Sequence, residues 1–247
     1  MSNNRLKFRI LRNILFVFML IFFSIKSSAQ DVESLKKGVV KAMGGKKNYD
    51  KTRYIQWTFF GNQSLVWDKQ KNRVRIDFLK ENSVYILNLN DKTGKILKKG
   101  EEQTHPDSLN KFFEEARRIW INHSYWLVMP WKLDDAGVSL KYMGEAKTQD
   151  GNDAEYLEMT FREVGVTPDN KYWIYFDKKS HLISQWSHFS KNTDEKPRFT
   201  MPWKDYKPYG AILLSGDRGE RKLTNIAVYN KVDEKVFEDF KKPELQK

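Results

Sequence analysis

The sequence predicts a mainly β protein, a curved antiparallel sheet with helices laid over it. Three observations carry that prediction. Runs of alternating apolar and polar residues recur along most of the chain, separated by Gly-, Asn- and Asp-containing turns. One short helical pattern precedes these runs. One amphipathic helical stripe interrupts them midway.

The first 29 residues read as a leader rather than as part of the fold. Arg5, Lys7, Arg9 and Arg12 form a basic start, Ile14 to Ile25 is apolar apart from Ser24, and Ser27-Ser28-Ala29 supplies small residues for cleavage after Ala29 or Gln30. That is the plan of a secretory signal peptide. Its apolar run is well short of the ~20 residues that span a bilayer as a helix. The expectation is an exported protein, periplasmic or extracellular, with residues 30–247 forming one domain.

The mature chain opens with "DVESLKKGVVKAMGG". Val32, Leu35, Val39 and Met43 fall on one helical face, and Gly44-Gly45 marks the stop. The period then changes to two. "YIQWTFFG" sets Ile55, Trp57 and Phe59 against Tyr54, Gln56 and Thr58; "RVRIDF" sets Val74, Ile76 and Phe78 against Arg73, Arg75 and Asp77; "SVYILNL" places Tyr85, Leu87 and Leu89 together. Six further runs follow residue 138, from "SLKYMGEAK" to "LTNIAVY", for about ten strands. That number is enough to curl into a barrel or half-barrel.

Residues 105–137 are a helix-plus-loop insertion. Asp107 or Ser108 is a plausible N-cap, and Leu109, Phe112, Phe113, Ala116, Ile119 and Trp120 form a broad apolar stripe. Such a helix lays its apolar face on the concave side of the sheet. "WINHSYWLVMPWKL" continues from it, with Trp120, Tyr125, Trp126, Met129 and Trp131 close together in a chain of mean hydropathy −0.71.

Composition narrows the function. The chain has no cysteine, which excludes disulfides and thiolate metal sites. Removing the leader takes away five of the 44 basic residues and none of the 32 acidic ones, leaving a net charge of +7. The lysines are scattered through turns and mixed with acids, so the pattern fits a solvated basic surface that favours anionic membrane, not nucleic acid. No nucleophile elbow, phosphate loop or zinc-binding His pair is present. His181 and His188 point to opposite faces if they share one strand. Asp134-Asp135 and "DGND" at 150–153 read as turns. No catalytic residue, metal site or cofactor is expected. The aromatics, eight Trp and eleven Tyr among them, fit either a filled core or a binding site.

Two stretches bear on that choice. "KAMGGKKNYDKTRYIQWTFFG" resembles the opening of LolA/LolB-type proteins. "YWLVMPWKLDDAGVSLKY" with "YLEMTFREVGVTPDNKYWIYFDKKSHLI" is similar to a branch of secreted LolA-like proteins, through Met129-Pro130-Trp131-Lys132-Leu133, Asp135 and Gly137, then Thr167-Pro168-Asp169, Tyr172, Tyr175 and Asp177. The resemblance implies an unclosed half-barrel whose apolar concave face is covered by helices and receives acyl chains. The expected function is a periplasmic carrier for a lipid or acylated protein, monomeric and without covalent chemistry. Its expected cavity and lid residues are Trp57, Phe59, Trp67, Ile76, Phe78, Phe112, Phe113, Tyr125, Trp126, Met129, Trp131, Trp173 and Tyr175. The alternatives are an envelope interaction protein with a filled core and, third, an envelope glycan or lipid hydrolase.

Overall fold

A computed structural model of the chain describes residues 29–162, 165–241 and 244–245. The expected leader, apart from Ala29, lies outside the described residues. Among them, no helix is long and apolar enough to cross a membrane.

The fold is mainly β. Helix α1 runs to residue 42 and is followed by the short α2 (Lys46–Lys51). The α1 face is the expected one: Val39 and Met43 are fully buried, and Val32 and Leu35 pack on the core. Gly44 ends the helix at φ 101°. A Cβ there would stand 2.3 Å from the Ala211 carbonyl oxygen, so only glycine allows this approach. The amide of Leu213 donates to the Met43 carbonyl at 3.0 Å and ties α1 to the sheet.

Strands β1 (Tyr54–Phe59), β2 (Gln63–Asp68), β3 (Arg73–Phe78), β4 (Ser83–Asn88), β5 (Thr93–Lys98) and β6 (Glu101–Gln103) form an antiparallel meander. Helix α3 (Pro106–Val128) and a 3-10 turn (Met129–Trp131) interrupt it. Then come β7 (Val138–Lys147), β8 (Asp153–Phe161), β9 (Lys171–Asp177), β10 (Ile183–Phe189), β11 (Phe199–Pro202), β12 (Lys204–Tyr209), β13 (Ile212–Arg218) and β14 (Arg221–Tyr229).

These strands build a nine-stranded sheet A, ordered β12-β13-β14-β1-β2-β3-β4-β5-β6, and a five-stranded sheet B, ordered β11-β10-β9-β8-β7. Only Trp203 separates β11 from β12, so the chain passes almost directly from one sheet to the other. The far edges, β6 and β7, are joined through α3 and do not pair. The surface therefore curls without closing into a barrel.

Apolar residues from both sheets, α1 and α3 form one continuous core on the concave side. Ile55, Trp57, Val74, Ile76, Tyr85 and Leu87 all face it, as the period-two pattern requires. A second, smaller core lies on the outer face of sheet A, where Tyr54, Val66 and Ile86 are covered by Val232, Val236 and Phe237. Arg75 is fully buried there. Its guanidinium pairs with Asp77 at 2.8 Å and donates to the carbonyls of Val236 (3.2 Å) and Phe240 (3.0 Å), fastening the C-terminal segment to β3.

The sequence predicts about ten strands; among the described residues there are fourteen. Of those not predicted, β5, β6, β11 and β12 are short, charged or at sheet edges, where alternation is weak, whereas β2 lies inside sheet A and its consecutive apolar residues Leu65, Val66 and Trp67 are buried on both faces. His105, not Asp107 or Ser108, caps α3: its Nδ1 accepts from the Asp107 amide at 3.3 Å. Pro106 occupies the first turn, where its fixed φ suits helix initiation. His181 lies in the turn before β10 at φ 59°, so it does not share a strand with His188.

Candidate functional site

The site is the concave face and the helix seated in it. Helix α3 is amphipathic, with Phe113, Ala116, Trp126, Leu127 and Val128 buried and Asp107, Lys111, Glu114, Arg117 and Arg118 left exposed. Its stability comes from that packed face rather than from propensity. Along its first half, Phe112 meets Tyr85 at 5.9 Å, which meets Phe78 at 4.8 Å. Midway, Trp120 meets Trp67 edge-on at 5.5 Å. Near its end, Trp126 stands edge-on to Phe60 at 5.1 Å and to Trp186 at 4.6 Å.

Trp186 is the hub between the sheets. Besides Trp126 it touches Trp203 edge-on at 5.6 Å and stacks on Tyr172 at 5.1 Å. Beyond the helix, Met129 is fully buried and Trp131 lies parallel to Tyr49 at 4.5 Å. The Tyr125 hydroxyl donates to Met159 Sδ at 3.1 Å, and burial raises its pKa well above the usual range.

Among the polar residues buried in this apolar space are Arg218 and His123. Arg218 is 1% exposed. It donates to the carbonyls of Trp126 (2.7 Å) and Ser215 (3.2 Å), to Ser215 Oγ (2.8 Å) and to its neighbour Asp217's carbonyl (2.8 Å). Its guanidinium lies 3.4 Å from the centre of the Trp203 ring. Among the described residues, no carboxylate comes within 4 Å of it. Burial draws its pKa down to about 9, still charged at neutral pH. The Trp126 carbonyl belongs to the last turn of α3, where carbonyls lack intrahelical partners. Arg218 therefore fixes the C-terminal end of the helix to β13.

His123 is the second. Its ring lies nearly parallel to Phe59 at 3.6 Å, and burial lowers its pKa to about 3. The folded state thus holds it neutral. Since its folded pKa lies below the unfolded value, its contribution is present above about pH 6.5 and is lost as pH falls toward 3. The expected result is a stability that declines by at most about 1.4 kcal/mol per pH unit through that window. Urea unfolding of wild type and His123→Phe at pH 7, 5.5 and 4.5 checks it. A slope unchanged in the variant would assign the acid sensitivity elsewhere.

Several buried donors have no acceptor among the described residues: the indole N–H groups of Trp57, Trp67, Trp120, Trp131, Trp186 and Trp203. Buried polar groups are ordinarily hydrogen-bonded, so such a set stands out. The interior itself is closely filled. A small pocket of about 60 Å³ lies beside Tyr125, Trp126, Phe161 and Tyr172. A wider open groove, about 610 Å³, lies on the outer face of sheet A over a polar floor that includes Gln56, Thr58, Ser64 and Asn225.

The structure brings most of the expected site residues together. Trp57, Phe59, Trp67, Ile76, Phe113, Trp126, Met129 and Trp131 are in the concave core, with Phe78, Phe112 and Tyr125 packed against it. Trp173 and Tyr175 are a correction. In β9 the core-facing residues are Tyr172, Ile174 and Phe176, so Trp173 and Tyr175 point to the outer face. There Trp173 donates to Glu158 at 3.2 Å and packs on Phe189 at 4.7 Å, and Tyr175 stacks on Tyr156 at 5.2 Å. Trp173 consequently does not pack under Trp126. Sequence reasoning missed Trp186, Trp203, His123 and Arg218.

No protein-family model matches the chain, and no curated protein matches it. Among solved structures, it is similar to a DUF1329 family protein from Desulfovibrio piger, at 13% identity over 84% of this chain and 97% of that one, with a TM-score of 0.43. It is also similar to an uncharacterized conserved protein from Thermus thermophilus, at 14% identity over 84% and 91% of the two chains, with a TM-score of 0.25. Overlaps this loose leave the function to be read from the chain's own geometry.

Proposed function

We propose that the protein is a LolA-like carrier that reversibly buries the acyl chains of a lipid or acylated protein between its concave sheet and α3. The observation that carries this reading is the long helix seated inside an unclosed aromatic sheet. An element packed there can be exchanged for acyl chains without opening any strand pair. The unpartnered indole donors support it, because an ester or amide carbonyl entering with the chains supplies acceptors. Burial of each methylene is worth about 0.8 kcal/mol. The process needs no covalent step. In this reading the chain acts after export, as a monomer, and meets an anionic membrane through its basic surface.

The close filling of the interior favours a second reading, an interaction protein with a permanent core. Solvent extraction and mass spectrometry of the purified native protein, beside a Trp126→Ala, Trp131→Ala variant, separates the two. The carrier reading expects a stoichiometric acylated species in the wild type, depleted in the folded variant. Absence of any bound species, together with no uptake of a hydrophobic dye, would leave the filled core.

A further inference from the structure

A groove of about 500 Å³ runs between α1 and the segment from Pro130 to Asp135. Its apolar lining is Val40, Pro130, Trp131 and Leu133. Lysines 36, 37, 41 and 46 border it from α1 and α2. Two of them are engaged: Lys36 with Glu33 at 2.6 Å and with Asp134 across the groove, and Lys46 with Asp50 at 2.6 Å. Lys37 and Lys41 have no carboxylate within 4 Å among the described residues. Asp135, on the far side, is occupied by Lys132 at 2.9 Å. The groove thus offers an apolar floor beside two uncompensated cations.

We infer that this groove binds a single-chain amphiphile with an anionic head, a fatty-acid carboxylate, its head against Lys37 and Lys41 and its chain along Trp131 and Leu133. A wholly apolar ligand would leave both cations unused, and a small anion would leave the floor unused. An amphiphile of this charge matches both. Lys36 and Asp134 form a strap between the two walls, and the incoming carboxylate competes with Asp134 for Lys36. The inference deepens the acyl-burial reading and rests on it, since Trp131 belongs to both sites.

The test uses the full mature protein and a fluorescent polyene fatty acid, compared with the primary alcohol of the same chain. At low salt the acid is expected to bind up to about tenfold more tightly than the alcohol, the upper end of what two ion pairs to the exposed Lys37 and Lys41 provide. Salt should narrow the gap. The Lys37→Glu, Lys41→Glu variant should lose that preference and keep its affinity for the alcohol. Asp134→Asn should bind the acid more tightly than wild type, a gain that misfolding does not produce. Equal binding of acid and alcohol by wild type, or an undiminished preference in the charge-reversed variant, overturns the groove assignment while acyl burial stands. Binding of neither probe removes both.

Discussion

Replacing Arg218 with alanine is expected to lower the unfolding free energy by about 3–5 kcal/mol, since each buried carbonyl left without a donor costs ~1–3 kcal/mol. The Trp126 and Ser215 carbonyls both lose their partner. The cation over Trp203 also goes, at ~2 kcal/mol for a desolvated contact. Arg218→Lys keeps the charge but not the planar fork, so its loss should fall between wild type and alanine. Arg218→Met separates two roles of the residue. A buried cation without a carboxylate carries a desolvation cost that methionine removes. Urea midpoints at constant slope measure all three. An alanine variant within about 1 kcal/mol of wild type would show that Arg218 does not hold α3 in place.

Trp186→Ala is the second large effect, a loss of about 3–5 kcal/mol, as for other large aromatic truncations in cores. Trp186 is 1% exposed and touches Trp126, Tyr172 and Trp203, which come from α3, sheet B and the crossing between the sheets. A double-mutant cycle with Trp126→Ala should give a coupling of about 0.5–3 kcal/mol, because the two rings share one cavity. Additive losses would mean that α3 and sheet B are held independently of this contact.

Much of the architecture was legible because β1 and β3 alternate large apolar residues on the concave face with polar ones such as Gln56, Thr58, Arg73, Arg75 and Asp77 on the other, even where that outer face is itself covered. Trp57 and Ile76 could be assigned to the core from alternation alone. The same rule failed in β9, where "KYWIYFD" is aromatic on both faces, so the period does not say which set turns inward. It failed in β10 for another reason. A register shift between Ile183 and Gln185 changes the phase and turns both Ile183 and Trp186 toward the core. The "GDRGE" stretch reads as a charged hairpin, and nothing local in it shows that Arg218 is buried under a distant helix. The lid segment was recognisable by its density of Trp and Met. The partners of that segment were not, because Tyr49 and Trp186 lie far from it in sequence, one before and one after.

The pairing of β1 with β14 has a bearing on how the molecule is made. Tyr54 lies opposite Tyr229, and Phe59 opposite Leu223, so one of the earliest strands completes its ladder with the last. During folding, β1 to β6 can form a meander from local contacts, but β1 keeps an open edge until β14 joins it. The seat of α3 is likewise incomplete, because Arg218 and Trp186 are synthesised well after the helix they hold. Nucleation across such sequence separations is slow. Until β14 joins β1, the partly folded chain is an unfinished sheet with a loosely held helix, presenting an unpaired strand edge and apolar surface.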